Sequence, residues 1–133
     1  MDTATKQRYR RTPHIALDFD KTLFTHESSW GISKIGEPIA EMVENVKRWI
    51  NKGHRITIFT ARACPWGPRG EDRANDVENQ KLEIQDALEK AGLPRFEVTS
   101  EKRPSYTHII DDRAWNVKMN TGEIQHNEEY MGL

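Results

Sequence analysis

The chain has 133 residues, of which 35% are hydrophobic and 31% are charged, and its formal net charge is −1. This composition predicts one globular domain with a polar surface, and apolar runs of only a few residues exclude a membrane-spanning segment. The small net charge neither favours nor excludes an anionic partner. The single cysteine, Cys64, excludes an internal disulfide framework. Since the first residues also lack the apolar block of a secretory signal, we expect a cytoplasmic protein without a membrane partner.

Residues 1–13 are predicted to form a basic N-terminal tail, ahead of one folded domain over residues 14–133. The tail carries several basic side chains and one aromatic ring, namely Lys6, Arg8, Tyr9, Arg10 and Arg11. A loosely docked arm and an arm that contacts the phosphates of a nucleic acid both fit this composition.

The domain alternates strands and helices. Apolar, β-rich runs predict strands over residues 14–19, 55–60, 96–99 and 106–111. Apolar residues at helical spacing predict one helix that begins at Pro38 and ends before Gly53, and a second over residues 72–91. A turn and one short strand are expected after residue 111. This alternation predicts an α/β fold, a Rossmann-like three-layer sandwich with a central, mostly parallel sheet.

Two of the predicted strands end in acids. Asp18 and Asp20 follow the first strand, and Asp111 and Asp112 follow the last. Ligands of parallel α/β sheets bind outside the carboxyl ends of the strands, so we expect the four acids to share one site. Two carboxylates about 4 Å apart repel by roughly 4 kcal/mol at an effective dielectric of about 20, and the acids would take up protons unless a cation compensates them. In the alternative interpretation, the acids only cap the turns that follow the strands.

Thr60 and Lys102 are predicted to lie near the same edge of the sheet. A hydroxyl group and an ammonium group both suit a phosphoryl group. Mg²⁺ is the usual cation where oxygen ligands and phosphate meet. The acids therefore predict a cation, and Thr60 with Lys102 predicts that this cation serves a phosphorylated substrate.

Four segments follow one another in a recognisable order: 18–22 (Asp-Phe-Asp-Lys-Thr), 57–60 (Thr-Ile-Phe-Thr), Lys102 and 109–112 (Ile-Ile-Asp-Asp). Together they resemble the motifs of the haloacid dehalogenase superfamily of phosphohydrolases, over residues 14–119. The resemblance implies a Mg²⁺-dependent phosphomonoester hydrolase that acts through an aspartyl-phosphate intermediate. One departure is Lys21, because the family often has glycine at that position.

The resemblance also implies a role for each site residue. Asp18 would be the nucleophile, and Asp20 would protonate the leaving oxygen and then deprotonate the attacking water. Mg²⁺ would be held by Asp18, the backbone carbonyl of Asp20 and Asp111, and Asp112 would bind it through water or support Asp111. The phosphoryl group would be bound by Thr60, Lys102 and the backbone N–H groups of the loop that runs from Asp18 to Thr22.

The loop after the second strand is predicted to contact substrate. Arginine and an exposed indole suit a phosphate-rich or base-stacking ligand, and the loop contains Arg62, Trp66 and Arg69. Arg62 comes two residues after Thr60, which is close enough to reach substrate. In the alternative, the charges of the loop pair with nearby acids, namely Glu71, Asp72 and Asp76.

The gaps between the motifs leave no room for the large cap domain that the family often inserts, so the chain resembles the small capless members. The basic aromatic loop and the Ile-Asp-Asp-Arg run at 110–113 resemble polynucleotide 3′-phosphatases. This implies a nucleotide or polynucleotide 3′-phosphate as substrate and nucleic acid as partner. A sugar phosphatase is one alternative. A catalytically inert phosphate-binding or receiver-like domain is another, although an acid at Asp20 favours hydrolysis of an acyl phosphate.

Overall fold

A computed structural model describes residues 12–125 of the chain, so most of the predicted tail and residues 126–133 lie outside the described part. Four strands form one parallel sheet: β1 (His14–Leu17), β2 (Arg55–Phe59), β3 (Val98–Thr99) and β4 (His108–Ile110). Two helices, α1 (Ala40–Asn51) and α2 (Ala74–Lys90), connect β1 to β2 and β2 to β3. The predicted α/β class and parallel sheet are confirmed, and no cap domain interrupts residues 12–125.

One face of the sheet carries the hydrophobic core. Alternate residues of a strand point to the same face, and Ile15, Leu17, Ile56 and Ile58 are all buried there. They belong to one cluster with four side chains of the helices, namely Val43, Val46, Ile84 and Leu88. The chain moves from β1 to β2 to β3 in one direction, so right-handed crossovers place both helices on this same face.

The opposite face differs from the three-layer prediction, because no helix covers it within the described residues. It presents polar groups, and the His14 ring lies 2.8 Å from the Thr57 hydroxyl (Nε2 to Oγ1). Tyr106 packs edge-on against His14, with ring centroids 4.9 Å apart, and lies 5.8 Å from Phe59. The connection between β3 and β4 spans only residues 100–107, too few for a helical crossover.

The strand order β3-β2-β1-β4 places a switch point at the carboxyl end of β1. The chain leaves β1 toward β2 on one side and returns to β4 on the other, which opens a crevice between the two connections. Leu17 is in register with Ile110, and the Asp18 amide donates to the Ile110 carbonyl (2.9 Å). The acids that follow β1 and β4 therefore emerge side by side.

The turn after β1 holds Lys21 in the left-handed region, with φ of 67°. The turn is closed by the Lys21 amide, which donates to the Phe24 carbonyl (2.8 Å), and by the Phe24 amide, which donates to the Phe19 carbonyl (3.0 Å). A residue with a Cβ atom pays about 1 kcal/mol in this conformation, whereas glycine adopts it freely. The glycine that the resembled family often has at this position suits the turn better than lysine does.

We expect Lys21→Gly to raise the free energy of unfolding by about 1 kcal/mol, because it removes this backbone strain. Lys21→Ala is the matched control: it removes the bond from Lys21 Nζ to Ser28 Oγ (2.8 Å) but keeps the Cβ atom. Urea unfolding of the three proteins measures the effect. A Lys21→Gly protein that is no more stable than Lys21→Ala contradicts the strain.

Candidate functional site

A cavity of about 510 Å³ lies at the carboxyl ends of the strands. All four predicted acids line it, namely Asp18, Asp20, Asp111 and Asp112. Basic side chains and a hydroxyl group also line it, namely Lys21, His26, Thr60 and Arg113. A larger cavity, about 650 Å³, lies between α2 and residues 33–38, and none of the predicted site residues lines it. The smaller cavity is therefore the candidate site.

Three of the carboxylates that line this cavity form a cluster. Asp18, Asp111 and Asp112, hereafter the acid cluster, each place one carboxylate oxygen within 4.8 Å of the others. The parallel register of β1 and β4 causes this proximity, because it aligns the residues that follow the two strands. Carboxylates at this spacing fit the oxygen ligands that a hard divalent cation such as Mg²⁺ requires.

Thr22 supports the acid cluster. Its buried hydroxyl donates to Asp18 Oδ2 (3.0 Å), lies 3.3 Å from Asp112 Oδ1 and accepts from the Asp112 amide (3.2 Å). The Thr22 amide points back to the Phe19 carbonyl (3.4 Å). Both donors of Thr22 are used within the fold, so the predicted contact between Thr22 and phosphate is not supported. The residue instead orients two of the three acids.

The acid cluster changes the ionisation of Asp18. Burial, a hydrogen bond with Asp112 and the charge of Asp111 raise the pKa of Asp18 from 3.8 to about 7, although hydrogen bonds from Thr22 and the Phe19 amide oppose the shift. Near neutral pH and without a cation, Asp18 therefore exchanges between its acid and carboxylate forms. A divalent cation at this position would favour the carboxylate.

The raised pKa predicts a pH-dependent stability. A carboxyl whose folded pKa exceeds its unfolded value stabilises the fold fully below about pH 4, and this contribution is lost as the pH rises through about 7. Burial lowers the pKa of His14, which has the opposite effect on the stability of the fold. That effect is confined to pH values below about 6.5. Between about pH 6.5 and pH 8, we expect the metal-free protein to become less stable as the pH rises.

Thermal unfolding in EDTA and in Mg²⁺ measures this dependence. Mg²⁺ should stabilise the protein more at about pH 8 than at about pH 6.5, because protons compete with the cation for Asp18. The control is Asp18→Asn, which should lose the pH slope in EDTA. An equal slope in both proteins would show that Asp18 is not its source.

Asp20 does not join the acid cluster through its side chain. Its carboxylate forms a bidentate ion pair with Arg62, with Nε to Oδ2 at 2.7 Å and Nη2 to Oδ1 at 2.9 Å. His26 Nδ1 lies 3.3 Å from Asp20 Oδ1. The four predicted acids thus divide into three clustered carboxylates and one that is paired with arginine.

Arg62 occupies a different position from the one predicted. Its buried guanidinium group donates to Asp20, to two backbone carbonyls and to Gln80, so it has no donor left for a direct substrate contact. The sequence spacing correctly predicted that Arg62 lies near the site. Its guanidinium group, however, binds the Asp20 carboxylate and not a substrate.

The loop that follows is closed by hydrogen bonds from its backbone amides to Glu71. The Gly67 amide donates to the Glu71 carbonyl (2.8 Å), and the Arg69 amide donates to Glu71 Oε2 (2.8 Å). Trp66 is 60% exposed, and neither Trp66 nor Arg69 lines the cavity. Of the charge pairs in the alternative interpretation, the structure forms the one between Arg73 and Asp76 (3.9 Å), whereas Glu71 accepts from a backbone amide of the loop.

Thr60 is placed as predicted, at the cavity wall beyond β2. Its amide donates to the Thr99 carbonyl (2.9 Å), and its hydroxyl accepts from the Arg62 amide (3.2 Å). Within the described residues no acceptor takes the hydrogen of this hydroxyl, so it can donate to a ligand. Lys102 is exposed and does not line the cavity, although Ser100, two residues earlier, does.

His26 and Arg113 line the cavity and were not predicted as site residues. Arg113 directly follows the last pair of acids, and its backbone amide donates a hydrogen bond to Asp111 Oδ1 (2.9 Å). Its place next to a motif was an available signal. No comparable signal marks His26, which comes from an irregular loop.

Comparisons of the chain with models of protein families, with curated proteins and with solved structures returned no match. Over residues 12–125, neither helix has the length and apolar character needed to cross a membrane.

Proposed function

We propose that this protein is a Mg²⁺-dependent phosphomonoester hydrolase that acts through an aspartyl-phosphate on Asp18. The observation that carries the proposal is the division of four acids within one cavity. Three carboxylates cluster within 4.8 Å, as cation ligands do, and Asp20 stays apart in an ion pair. Acids that only capped turns would not need to converge from two strands that are about 90 residues apart in sequence.

The acid cluster would hold the cation, together with the backbone carbonyl of Asp20. Mg²⁺, when bound, would neutralise charge on Asp18 and on the phosphoryl oxygens. Thr22 fixes the direction of the Asp18 carboxylate through its hydroxyl group. The Thr60 hydroxyl is available to donate to a phosphoryl oxygen.

The reaction proceeds in two displacements. An Asp18 carboxylate oxygen attacks phosphorus, the ester P–O bond breaks, and the leaving oxygen takes a proton that Asp20 has first taken up from solvent. Water then attacks phosphorus and gives a proton to Asp20, and the bond between phosphorus and Asp18 breaks. Orthophosphate leaves, Asp20 releases its proton to solvent, and both acids return to their starting states.

We propose a nucleotide or polynucleotide 3′-phosphate as the substrate. Among the described residues no cap domain covers the cavity. Basic side chains line its wall, namely Lys21, His26 and Arg113. Trp66 and Arg69 lie outside the wall but follow Cys64, which lines it. We propose that a substrate larger than a sugar phosphate extends from the cavity to this loop, where the exposed indole of Trp66 can stack on a base.

A phosphomonoester panel tests the proposal. The purified protein is assayed on p-nitrophenyl phosphate, on 3′- and 5′-phosphorylated oligonucleotides and on sugar phosphates, with Mg²⁺ or with EDTA. We expect turnover only with Mg²⁺, and faster release from the 3′ end than from sugar phosphates. The opposite order would refute the polynucleotide substrate and favour a sugar phosphatase. No turnover on any substrate would refute the enzyme and favour an inert phosphate-binding or receiver-like domain.

A further inference from the structure

Arg62 is only 2% exposed, although it carries a permanent charge. Two of its five N–H groups bind Asp20. The others face the carbonyls of Ile32 (3.2 Å) and Lys34 (2.7 Å) and, at a longer distance, Gln80 Oε1 (3.5 Å). A buried guanidinium is tolerated only when its charge and its donors are matched in this way.

The backbone around Arg62 is fixed by the neighbouring site residue. Thr60 caps the short 3₁₀ turn over Ala61–Ala63 by accepting a hydrogen bond from the Arg62 amide (3.2 Å). The guanidinium also lies 5.8 Å from the ring centroid of the fully buried Phe19. Arg62 is therefore held from its backbone and from its side chain.

The two carbonyls that Arg62 binds belong to residues 26–36, hereafter the flanking loop. Ser28 and Gly31 of this loop line the cavity. Gln80 of α2 also reaches the loop, with its Nε2 atom 3.5 Å from the Ile32 carbonyl. One guanidinium thus connects the Asp20 carboxylate to a wall of the cavity.

We propose that Arg62 is a positioning residue that fixes the Asp20 carboxylate against the flanking loop and away from the acid cluster. Its catalytic consequence, the direction from which Asp20 exchanges a proton with the leaving oxygen, rests on the proposed function. Each Asp20 oxygen uses one lone pair for Arg62, and Oδ1 also faces His26 Nδ1 (3.3 Å), so the second lone pair of Oδ2 remains to hold that proton. The planar fork of arginine sets this geometry, and lysine cannot reproduce it.

A leaving-group comparison tests the catalytic consequence. Arg62→Lys keeps the charge but loses the bidentate geometry and the carbonyl contacts. Because p-nitrophenolate leaves without much help from an acid, we expect the kcat of Arg62→Lys on a 3′-phosphorylated oligonucleotide to fall about tenfold more than its kcat on p-nitrophenyl phosphate. An equal loss on both substrates would show a merely structural role and overturn the proposal.

The matched control is Arg95→Lys, at a surface arginine that pairs with Asp86 (2.7 Å) and Glu89 (3.0 Å). It should change neither kcat.

Amide hydrogen exchange of the flanking loop tests the anchoring without any activity. We expect faster exchange over residues 28–35 in Arg62→Lys than in the wild type, and no change in Arg95→Lys. The double variant Arg62→Met, Asp20→Asn removes both charges and gives the same readout if Arg62→Lys does not fold. Unchanged exchange overturns the proposal. If the wild type hydrolyses neither substrate, the proposed function fails, and exchange alone decides whether Arg62 anchors the loop.

Discussion

Asp18→Asn is expected to abolish phosphate release and, at the same time, to make the metal-free protein more stable. An amide cannot serve as the nucleophile that forms an aspartyl-phosphate, so turnover should fall to background. The gain in stability has a separate cause. Burial and the neighbouring acids raise the pKa of Asp18 to about 7, which means that the fold disfavours its ionised form, and a neutral side chain of the same shape avoids that cost.

Turnover of p-nitrophenyl phosphate with Mg²⁺ and thermal unfolding in EDTA at about pH 8 measure the two effects. The control is Asp86→Asn on α2, which removes an exposed ion pair between Asp86 and Arg95. It should change turnover and thermal stability little. Near-normal turnover in Asp18→Asn would require direct attack by water on the substrate. A destabilised Asp18→Asn would mean that the acid cluster imposes no cost on this position.

Asp20→Asn is expected to have the opposite effect on stability. It leaves the buried Arg62 without its counter-charge, which should lower the free energy of unfolding by about 3 kcal/mol. It also removes the proposed acid and base, so kcat on an alkyl phosphate should fall by about 10²-fold or more. Two identical changes, two residues apart, should therefore shift stability in opposite directions.

Urea unfolding at constant pH and kcat on a 3′-phosphorylated oligonucleotide check this prediction, with Asp18→Asn as the matched comparison. If Asp20→Asn were as stable as the wild type, the ion pair with Arg62 would contribute nothing to the fold. If its kcat were unchanged, another group would have to supply the proton.

The elements and the meeting of the acids could be predicted from sequence because both depend on local signals. Strands appear where β-rich apolar runs occur, and the second helix ends near Gly92 as its pattern indicates. The short strand expected after residue 111 is wrong, because residues 112–125 form an isolated bridge between Val117 and Ile124 in its place. In a parallel sheet, residues that follow adjacent strands lie at one edge, so the approach of Asp18 and Asp111 follows from the order of the motifs. The number of layers could not be predicted in this way. It depends on the connection between β3 and β4, which is too short to place a helix on the opposite face of the sheet.

The partners of individual side chains could not be predicted from sequence. Spacing placed Arg62 near the site, but whether its long side chain contacts substrate or a carboxylate depends on the position of Asp20, which is 42 residues away. The hydroxyl of Thr22 likewise turned to the acids because Asp112 arrives from β4. Lys102 lies in an exposed segment, where sequence indicates proximity but no direction.

The most direct test of the proposed mechanism is the detection of a phosphoryl group on Asp18 during turnover. The protein is mixed with Mg²⁺ and p-nitrophenyl phosphate, quenched in acid and digested, and the peptide that contains Asp18 is examined by mass spectrometry. We predict that this peptide gains the mass of one phosphoryl group in the wild type, and more of it in Asp20→Asn, where hydrolysis of the intermediate is slowed. Multiple turnover with no phosphorylated Asp18 at any time in either protein would contradict an aspartyl-phosphate mechanism.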